Sequence, residues 1–548
     1  MSDTVRELLI ARQDEVETAL CFEDRAWSWD HYVAESSRWG RQLWGMLSDD
    51  RPRHVGVLLE NVPEFAFLLG AAGLTGITLV GLNPTRSPQE LARDATHTDC
   101  QLVVAASDLL RQVGTQELGS ARMLDIDEPW LRLAVADQPG TVPDVPVHPT
   151  DRFLLIFTSG TTSDPKAVIC SQRKIAWTAN SAIERAYRPG DVAYSSMPLF
   201  HSGAIMAVWA PMLGAGGTTV LRRRFSASGF LPDIRRYGCT IAHYVGKPLS
   251  YVLAQPERSD DADNPLRTVF GNEGSARDIA EFSRRFDCEV RDGYGSTELG
   301  IRISRVEGTP DGALGRPAGG DVRVVDSETG RECRRARFDA DGRLLNPEEA
   351  VGELVRLDGP GLFEGYYNNP EADRERYRDG VYHSGDLAYR DEDDFFYFAG
   401  RTGEWLRVDG ENLAVMPIER ALAELPGAAS VAVYAVPDPA VGDVPMAAVV
   451  PRDGVDIDAE ALQRWWDARR DLSPKARPRF VRVTDRLSQT ATYKTVKRRL
   501  AAEQWHTEDP VLWTPSARAP YRWLSREDRQ GLRASFRERG RDHLLSET

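Results

Sequence analysis

The junction between an apolar run and a hydroxyl-rich loop at residues 153–166 constrains the fold more than any other part of the chain. Residues Phe153 to Phe157 are all apolar, as is typical of a strand buried on both faces of a parallel sheet. The nine residues from Thr158 to Lys166 carry hydroxyls, a glycine and one lysine. Oriented donors and a compact cation suit phosphate oxygens. The stretch predicts a phosphate-binding loop, although an ordinary solvated surface loop uses the same residue types.

The loop is not a Walker loop, because no glycine immediately precedes Lys166 and Ala167 follows it where Ser or Thr is required. It resembles instead the phosphate loop of the acyl-adenylate-forming superfamily, which includes acyl-CoA synthetases, luciferases and the adenylation domains of peptide synthetases. Ser163 departs from that pattern, since it replaces a glycine. The resemblance implies that ATP phosphates are bound by Thr158, Ser159, Gly160, Thr161, Thr162 and Lys166.

Length, net charge and cysteine spacing limit the classes of protein to which this chain can belong. A chain of 548 residues is too long for one hydrophobic core and predicts at least two domains. A net charge of −15 argues against nucleic acid or a broadly anionic membrane as the main partner. The six cysteines lack metal-ligand or disulfide spacing, and the N-terminus lacks a signal-peptide pattern. We therefore expect a cytoplasmic protein.

Apolar runs alternate with helical segments through most of the chain, which predicts an α/β lobe with a doubly wound sheet. Runs at His54 to Leu59, Gln101 to Ala105 and Ile241 to Val245 read as strands. The uncharged run Phe65 to Leu82 is long enough for a transmembrane helix. Its four glycines and the following Asn83-Pro84 turn favour a buried helix and then a strand, and no transmembrane segment is expected. Residues 1 to about 50 are predicted to be largely helical.

The pattern changes twice towards the C-terminus. Short alternating strands with frequent Gly, Pro and Asp from Leu314 to Phe398 predict a small β-rich subdomain appended to the large lobe. Beyond Arg401 strands and helices alternate again, which predicts a small α+β domain. We place the boundary between an N-terminal domain, 1–402, and a C-terminal domain, 403–548, which the resemblance implies is mobile.

The string Tyr294-Gly295-Ser296-Thr297-Glu298 matches a second motif of the superfamily. The resemblance implies that Tyr294 packs on adenine, that Gly295, Ser296 and Thr297 contact the nucleotide, and that Glu298 holds Mg²⁺. A carboxylate beside phosphates needs a divalent ion to offset the repulsion, so the assignment is physically reasonable.

Further motifs follow in the superfamily's order. Asp386 matches the ribose-binding aspartate, Arg401 the arginine before the interdomain hinge, and Gly403 the hinge itself. Glycine accommodates the φ changes of a large rotation, although Gly403 is equally compatible with an ordinary turn. Gly410, Glu411 and Asn412 match a loop that helps form the passage for the pantetheine arm of CoA, with a plain surface turn as the alternative.

The segment SQTATYK ends in Lys494 and resembles the C-terminal lysine motif. The resemblance implies that Lys494 bridges the substrate carboxylate and the α-phosphate, so that Lys494, Lys166, Thr297 and Glu298 form the catalytic set. Tyr493 replaces the usual glycine, which is similar to the fatty-acid-transport-protein and very-long-chain acyl-CoA synthetase branch. A surface lysine is the alternative for Lys494 considered alone.

Loops at the carboxyl ends of the predicted strands should converge on one crevice. We assign the substrate pocket to His201, Tyr244, Gly271, Asn272 and Glu273. Glu273 stands where the branch usually has glycine, and a carboxylate beside an acyl tunnel is costly to bury without a partner. Two alternatives remain open: Glu273 bonds the adenine amino group, or it recognises a polar or amino-bearing substrate.

The resemblance implies a two-step ligase that uses ATP, Mg²⁺ and CoA to convert a fatty or aryl carboxylic acid into its thioester through an acyl-AMP. A first alternative keeps the fold but activates nitrite and transfers it to an aromatic amine, as a diazotase does. A second is a non-catalytic acyl-binding or lipid-uptake protein. The arginine-rich segment Arg518 to Arg541 could contact anionic lipid, but its mixed charges favour a solvated helix.

Overall fold

The computed structural model divides into two compact units, Met1–Arg305 with Asp358–Tyr382, and Val306–Leu357 with His383–Thr548. The structure describes residues 2–114, 118–158, 165–181, 187–340, 344–401, 405–408, 411–439, 442–469, 474–489, 495–516 and 519–545. The predicted domain boundary at 402/403 lies outside these residues and stays a prediction.

The first unit contains two mostly parallel sheets. Within this unit the strands of the first sheet, in spatial order, are Arg302–Ser304, Glu289–Gly295, Thr268–Asn272, Ile241–Val245, Val192–Ser195, Thr218–Leu221, Thr18–Phe22 and Arg25–Ser28. The inner strands run parallel, and the pairs at the two ends are antiparallel. Strands of a parallel sheet are buried on both faces, which explains their continuous apolar runs.

The second sheet contains the strand that precedes the predicted phosphate loop. Its strands, in spatial order, are Arg122–Asp125, Cys100–Ala105, His54–Leu58, Thr78–Gly81, Arg152–Thr158 and Lys166–Ser171. All neighbours are parallel except the last pair. The doubly wound α/β prediction is therefore confirmed for this unit.

Helices cover the two sheets of the first unit. They are Val5–Ala11, Trp29–Trp44, Pro63–Thr75, Pro88–His97, Ser107–Val113, Pro129–Ala136, Gln172–Asn180, Ser202–Ala204, the π-helical Ile205–Trp209, Ala210–Ala215, Ala227–Tyr237, Pro248–Leu253, Ala276–Phe286 and Pro370–Arg376. The last helix is followed by the short strand Tyr377–Arg378, which pairs with the first two residues of strand Val381–Arg390. Pro63–Thr75 is almost wholly buried, ends at Gly76 with φ 73° and leads into a strand, as predicted. No helix among the described residues has the length and apolarity needed to cross a bilayer.

The prediction of a largely helical N-terminus is wrong in part. Between the first two helices the chain forms an antiparallel hairpin of Thr18–Phe22 and Arg25–Ser28. Glu23 adopts φ 54° in the connecting turn. The hairpin was missed because its second strand is exposed or half-buried along its length and so lacks an apolar run.

The second unit contains the predicted β-rich segment and the small α+β domain. Strands of the β-rich segment are Arg316–Pro317, Val322–Val325, Gly352–Arg356, Val381–Arg390 and Phe396–Arg401, with the short helix Pro347–Ala350. Val381–Arg390 pairs antiparallel with Phe396–Arg401, so that Asp386 lies opposite Arg401. Short strands thus occur at 316–356 and 381–401, as predicted, whereas most of the intervening segment belongs to the first unit and contains the helix Pro370–Arg376.

The α+β domain is built on one mixed sheet. In spatial order its strands are Glu411–Ala414, Trp405–Val408, Gly442–Pro451, Phe480–Val483, Val511–Trp513 and Arg522–Trp523, and Ala428–Asp438 pairs with Gly442–Pro451. Its helices are Val415–Ala423, Ala459–Asp467, Pro474–Ala476, Lys497–Glu503, Arg526–Glu538 and Asp542–Leu544. Apolar clusters around Leu462 and Trp505 bury the sheet.

Candidate functional site

The two ends of the predicted phosphate loop lie opposite each other. Strands Arg152–Thr158 and Lys166–Ser171 are antiparallel, with Thr158 paired to Lys166. The Thr158 hydroxyl donates to the Lys166 carbonyl oxygen at 3.4 Å. The loop thus begins and ends at one point of the sheet. Its predicted residues Ser159, Gly160, Thr161 and Thr162 lie outside the described residues, as do Gly403, Gly410 and Lys494.

Loops from three strand ends of the first sheet meet as predicted. The Ser202 and Thr297 hydroxyl oxygens are 2.7 Å apart. The Asn272 side-chain amide donates to the Gly295 carbonyl oxygen at 3.4 Å. These contacts connect the His201 loop and the loop at 271–274 to the Tyr294–Glu298 string, because parallel neighbours end at the same edge of a sheet.

The Glu298 side chain is buried beside a tyrosine and an arginine. The Tyr366 hydroxyl donates to Glu298 Oε1 at 2.8 Å, and Arg376 Nε donates to the same Tyr366 oxygen at 2.9 Å. Arg376 Nη2 is 3.8 Å from Glu298 Oε1. Burial alone would raise the pKa of Glu298, but the Arg376 charge and the hydrogen bonds outweigh it and lower the pKa. Glu298 is therefore held as a carboxylate.

Lys166 lies on another side of Tyr366. Its ammonium is 5.4 Å from the centre of the Tyr366 ring and 3.3 Å from Glu375 Oε2. An isolated bridge between Val168 and Tyr366 places this tyrosine against the strand that Lys166 begins. One tyrosine thus contacts both the predicted phosphate-binding lysine and the predicted metal-binding glutamate.

The structure adds a buried lysine that sequence reasoning did not assign. Lys174 is 1% exposed, and its ammonium donates to the main-chain oxygens of Glu298 at 3.1 Å and Ile169 at 3.4 Å. It thereby connects the strand after the phosphate loop to the turn at Glu298. Lysine is rare in this chain, with six among 68 basic residues, and that scarcity was the available signal. No such signal marked Arg376 in the sequence, because most basic residues of this chain are arginines.

A second, half-buried carboxylate connects two predicted pocket segments. Asp292 Oδ2 accepts hydrogen bonds from the Tyr244 hydroxyl at 2.8 Å and from the Gly274 amide at 2.6 Å. Burial raises the pKa of Asp292 to about 6, and these hydrogen bonds lower it only in part. Burial, followed by the Asp292 charge, raises the pKa of Tyr244, so the phenol remains a neutral donor. Sequence reasoning had assigned Tyr244 but not Asp292.

Tyr244 also lines a narrow apolar gap in the hydrophobic core between the first sheet and its covering helices. The lining residues are Tyr194, Ser196, Phe225, Phe230, Ala242, His243, Tyr244, Pro248, Leu249, Val252, Val269 and Phe282.

The other residues predicted to line the pocket include Glu273, Gly271 and His201, which differ in exposure and backbone conformation. Glu273 is exposed and adopts φ 66°, a left-handed conformation that glycine adopts without steric cost, which fits the glycine usual at this position in the resembling branch. Its exposure removes the expected penalty for a buried carboxylate. A side chain at Gly271 would overlap the Tyr244 ring. His201 Nδ1 accepts from the Gly203 amide at 3.2 Å and so caps the short helix that follows.

The predicted ribose-binding residue belongs to the second unit. Asp386 lies in a strand next to Gly385, whose amide donates to Glu353 Oε1 at 3.1 Å. Arg401 is the pairing partner of Asp386 across the hairpin. The side chains of Arg401, Glu411 and Asn412 lie outside what the structure describes.

Comparison with protein families identifies the chain. The model of the AMP-binding enzyme family matches residues 10–367, and that of the AMP-binding enzyme C-terminal domain matches residues 417–494. The chain belongs to the AMP-binding enzyme family. The resemblance read from its motifs is therefore confirmed at the level of the superfamily.

Several curated members of the AMP-binding enzyme family are similar over nearly the whole chain. The medium/long-chain-fatty-acid–CoA ligase FadD17 of Mycobacterium tuberculosis is 48% identical over 93% of this chain and 98% of its own. The steroid-22-oyl-CoA synthetase of Rhodococcus jostii is 44% identical over 99% of both chains. The long-chain fatty acid transport protein 1 of mouse is 30% identical over 82% of this chain and 74% of its own.

Solved structures of other proteins share the fold. ATP-bound MatB from Rhodopseudomonas palustris superposes with a TM-score of 0.80 at 23% identity, covering 91% of this chain and 98% of that chain. At this identity the likeness shows the fold alone.

Proposed function

We propose that this chain is an AMP-forming acyl-CoA ligase that activates bulky apolar carboxylic acids. The observation that carries the proposal is the identity of 44–48% over more than nine-tenths of the chain to ligases named for medium- or long-chain fatty acids and for a steroid acid.

In the first step a carboxylate oxygen of the acid attacks the α-phosphorus of ATP. The bond from that phosphorus to the bridging oxygen breaks, and pyrophosphate leaves with the electron pair. Lys166 is assigned to the phosphates, Thr297 to the α-phosphate, and Lys494 to the charge that develops between acid and phosphate. The short contact between Ser202 and Thr297 supports this role, because it fixes the Thr297 hydroxyl.

Glu298 is the residue that would hold Mg²⁺. Its carboxylate is ionised and anchored, and Mg²⁺ characteristically takes one or two carboxylates together with substrate phosphates. When bound, the ion would offset the negative charge of the phosphate oxygens.

In the second step the CoA sulfur attacks the acyl carbon of the acyl-AMP. The new C–S bond replaces the bond to the AMP oxygen, and the thiol proton is released. We assign Asp386 to the ribose with Arg401 beside it, Gly403 to the hinge, and Gly410, Glu411 and Asn412 to the CoA passage. The pairing of Asp386 with Arg401 supports a joint role for these two residues.

A cytoplasmic location is proposed with this function, supported by six cysteines that form no disulfide.

The test is product analysis by mass after incubation with ATP, Mg²⁺, CoA and a panel of straight-chain, aromatic and polycyclic acids. We expect acyl-CoA thioesters, AMP and pyrophosphate in equal amounts. A second arm replaces acid and CoA with nitrite and an arylamine, and a diazo product there without any thioester would contradict the proposal. Absence of acid-dependent exchange of labelled pyrophosphate into ATP would favour the non-catalytic alternative.

A further inference from the structure

Glu353 is a buried carboxylate inside the sheet of the β-rich segment. It is 8% exposed and lies in strand Gly352–Arg356, between strands Val322–Val325 and Val381–Arg390. Its Oε1 accepts a hydrogen bond from the Gly385 amide at 3.1 Å, and its Oε2 lies 2.9 Å from His383 Nδ1. A carboxylate is costly to bury unless its oxygens have partners. Glu353 therefore holds two residues of the neighbouring strand with one side chain.

The segment that Glu353 holds leads directly into Asp386. Gly385 adopts φ 70° within its strand, a left-handed conformation that other residues adopt only with strain. The next amide, that of Asp386, donates to Ser384 Oγ at 3.0 Å. Side chains thus bind two consecutive main-chain amides at this bend, and Asp386 then pairs with Arg401 across the hairpin. The backbone conformation at Asp386 consequently depends on the carboxylate of Glu353.

We infer that Glu353 is a positioning residue that orients Asp386 towards the ribose hydroxyls of ATP. The inference rests on the proposed function, which assigns Asp386 to the ribose. Glu353 touches no substrate in this scheme and acts through the Gly385 amide. Its loss should therefore weaken the recognition of the two ribose hydroxyls and leave the binding of the rest of the nucleotide unchanged.

The test measures nucleotide binding by titration calorimetry with Mg²⁺ present, so that it requires neither the acid nor CoA. The two probes are ATP and 2′,3′-dideoxyATP, which lacks both ribose hydroxyls. The ribose preference is the Kd for dideoxyATP divided by the Kd for ATP. It is measured for wild type, Glu353→Ala, Glu353→Gln, Asp386→Ala and the double variant Glu353→Ala/Asp386→Ala.

We expect Glu353→Ala to lower the ribose preference about tenfold, the effect of a hydrogen bond to a charged group. The change should lie in the Kd for ATP, while the Kd for dideoxyATP stays within about twofold of wild type. Glu353→Gln should restore most of the preference, because its amide oxygen still accepts from the Gly385 amide. In the Asp386→Ala background, Glu353→Ala should change the Kd for ATP by less than about twofold, since two residues that act through one contact are not additive.

Glu419→Ala is the matched control. Glu419 lies in the same unit, where its Oε1 accepts from the Val433 amide at 2.7 Å and pairs with the Lys497 ammonium at 2.9 Å. It thus has the same kinds of partner as Glu353, a main-chain amide and a basic side chain, but does not contact the Asp386 strand through them. This variant should reproduce the wild-type ribose preference.

An equal loss of affinity for ATP and dideoxyATP in Glu353→Ala would overturn the inference, because it would show a merely structural role. An undiminished effect of Glu353→Ala in the Asp386→Ala background would overturn it as well. Should Glu353→Ala fail to fold, Glu353→Asp replaces it, since a side chain shorter by one methylene cannot reach both partners, and the same loss is expected.

Failure of the inference is distinguishable from failure of the proposed function. A wild-type protein that binds ATP without any ribose preference would overturn the role of Glu353, while the thioester, AMP and pyrophosphate products still test the ligase activity. A wild-type protein that binds no ATP at all would contradict the proposed function and the inference with it.

Discussion

The hydroxyl of Tyr366 donates a hydrogen bond of 2.8 Å to the carboxylate of Glu298. The two residues are 68 positions apart in sequence. A bridge to Val168 brings Tyr366 to the strand after the phosphate loop, and helix Pro370–Arg376 adds Arg376 to the same hydroxyl. The predicted metal ligand thus depends on a segment that none of the recognised motifs includes.

Tyr366→Phe is expected to slow adenylation. The substitution removes the donor to Glu298 and leaves the carboxylate less well held. A hydrogen bond to a charged group contributes about 1.5–3 kcal/mol, which predicts a roughly 10- to 100-fold loss in acid-dependent pyrophosphate exchange. Tyr367→Phe is the matched control, because its phenol donates to Asp99 instead. Equal loss in both variants would contradict the role of Tyr366.

Lys174→Met is expected to weaken both stability and adenylation. Methionine fills the space but leaves the Glu298 and Ile169 carbonyl oxygens without their donor. Each unsatisfied buried group costs about 1–3 kcal/mol, so the free energy of unfolding should fall by about 2 kcal/mol or more. Urea denaturation measures the stability and pyrophosphate exchange the activity. A variant as stable as wild type would show that burying the ammonium costs as much as its hydrogen bonds contribute.

Asp292→Asn is expected to change how stability depends on pH. The folded-state pKa of about 6 lies above the ordinary value, so the unfolded chain releases this proton at lower pH. The associated stability is fully present below about pH 4 and is lost as pH rises through about 6. The unfolding free energy of the variant minus that of wild type should therefore increase by about 3 kcal/mol from pH 4 to pH 8. A difference that stays constant in urea titrations at both pH values would rule this out.

Asp386→Ala is expected to raise KM for ATP while it leaves kcat largely intact. If Asp386 accepts hydrogen bonds from the two ribose hydroxyls, as proposed, its loss predicts a change in KM of about tenfold or more. Asp393→Ala, at an exposed acid in the following turn, provides the control. If KM for ATP is the same in both variants, ribose binding by Asp386 is excluded.

Lys494→Ala is expected to separate the two half-reactions. Pyrophosphate exchange should fall by at least about a hundredfold if the lysine has its proposed role of stabilising charge formed during adenylation. Thioester formation from supplied acyl-AMP should fall much less. Lys497→Ala is the control, because the Lys497 ammonium pairs with Glu419 at 2.9 Å. Equal loss in both half-reactions would contradict the division of labour.

Most of the fold could be predicted because buried strands and helices need apolar residues in a regular pattern along the sequence. The strand Ile241–Val245 matches its prediction residue for residue, since an inner parallel strand needs apolar residues on both faces. The hairpin strand Arg25–Ser28 was missed for the opposite reason, because an edge strand can expose its side chains. The boundary at 402/403 stays a prediction.

The sequence by itself determined the family and predicted which residues bring chemistry to the site. Lys166, Thr297 and Glu298 could be named because their motifs are contiguous strings. Only the tertiary structure decided that Lys174, Tyr366 and Arg376 surround Glu298, and that Asp292 joins Tyr244 to Gly274. Hydrogen bonds and pKa values depend on distance and burial in space, and no local pattern in the chain encodes contacts between residues so far apart.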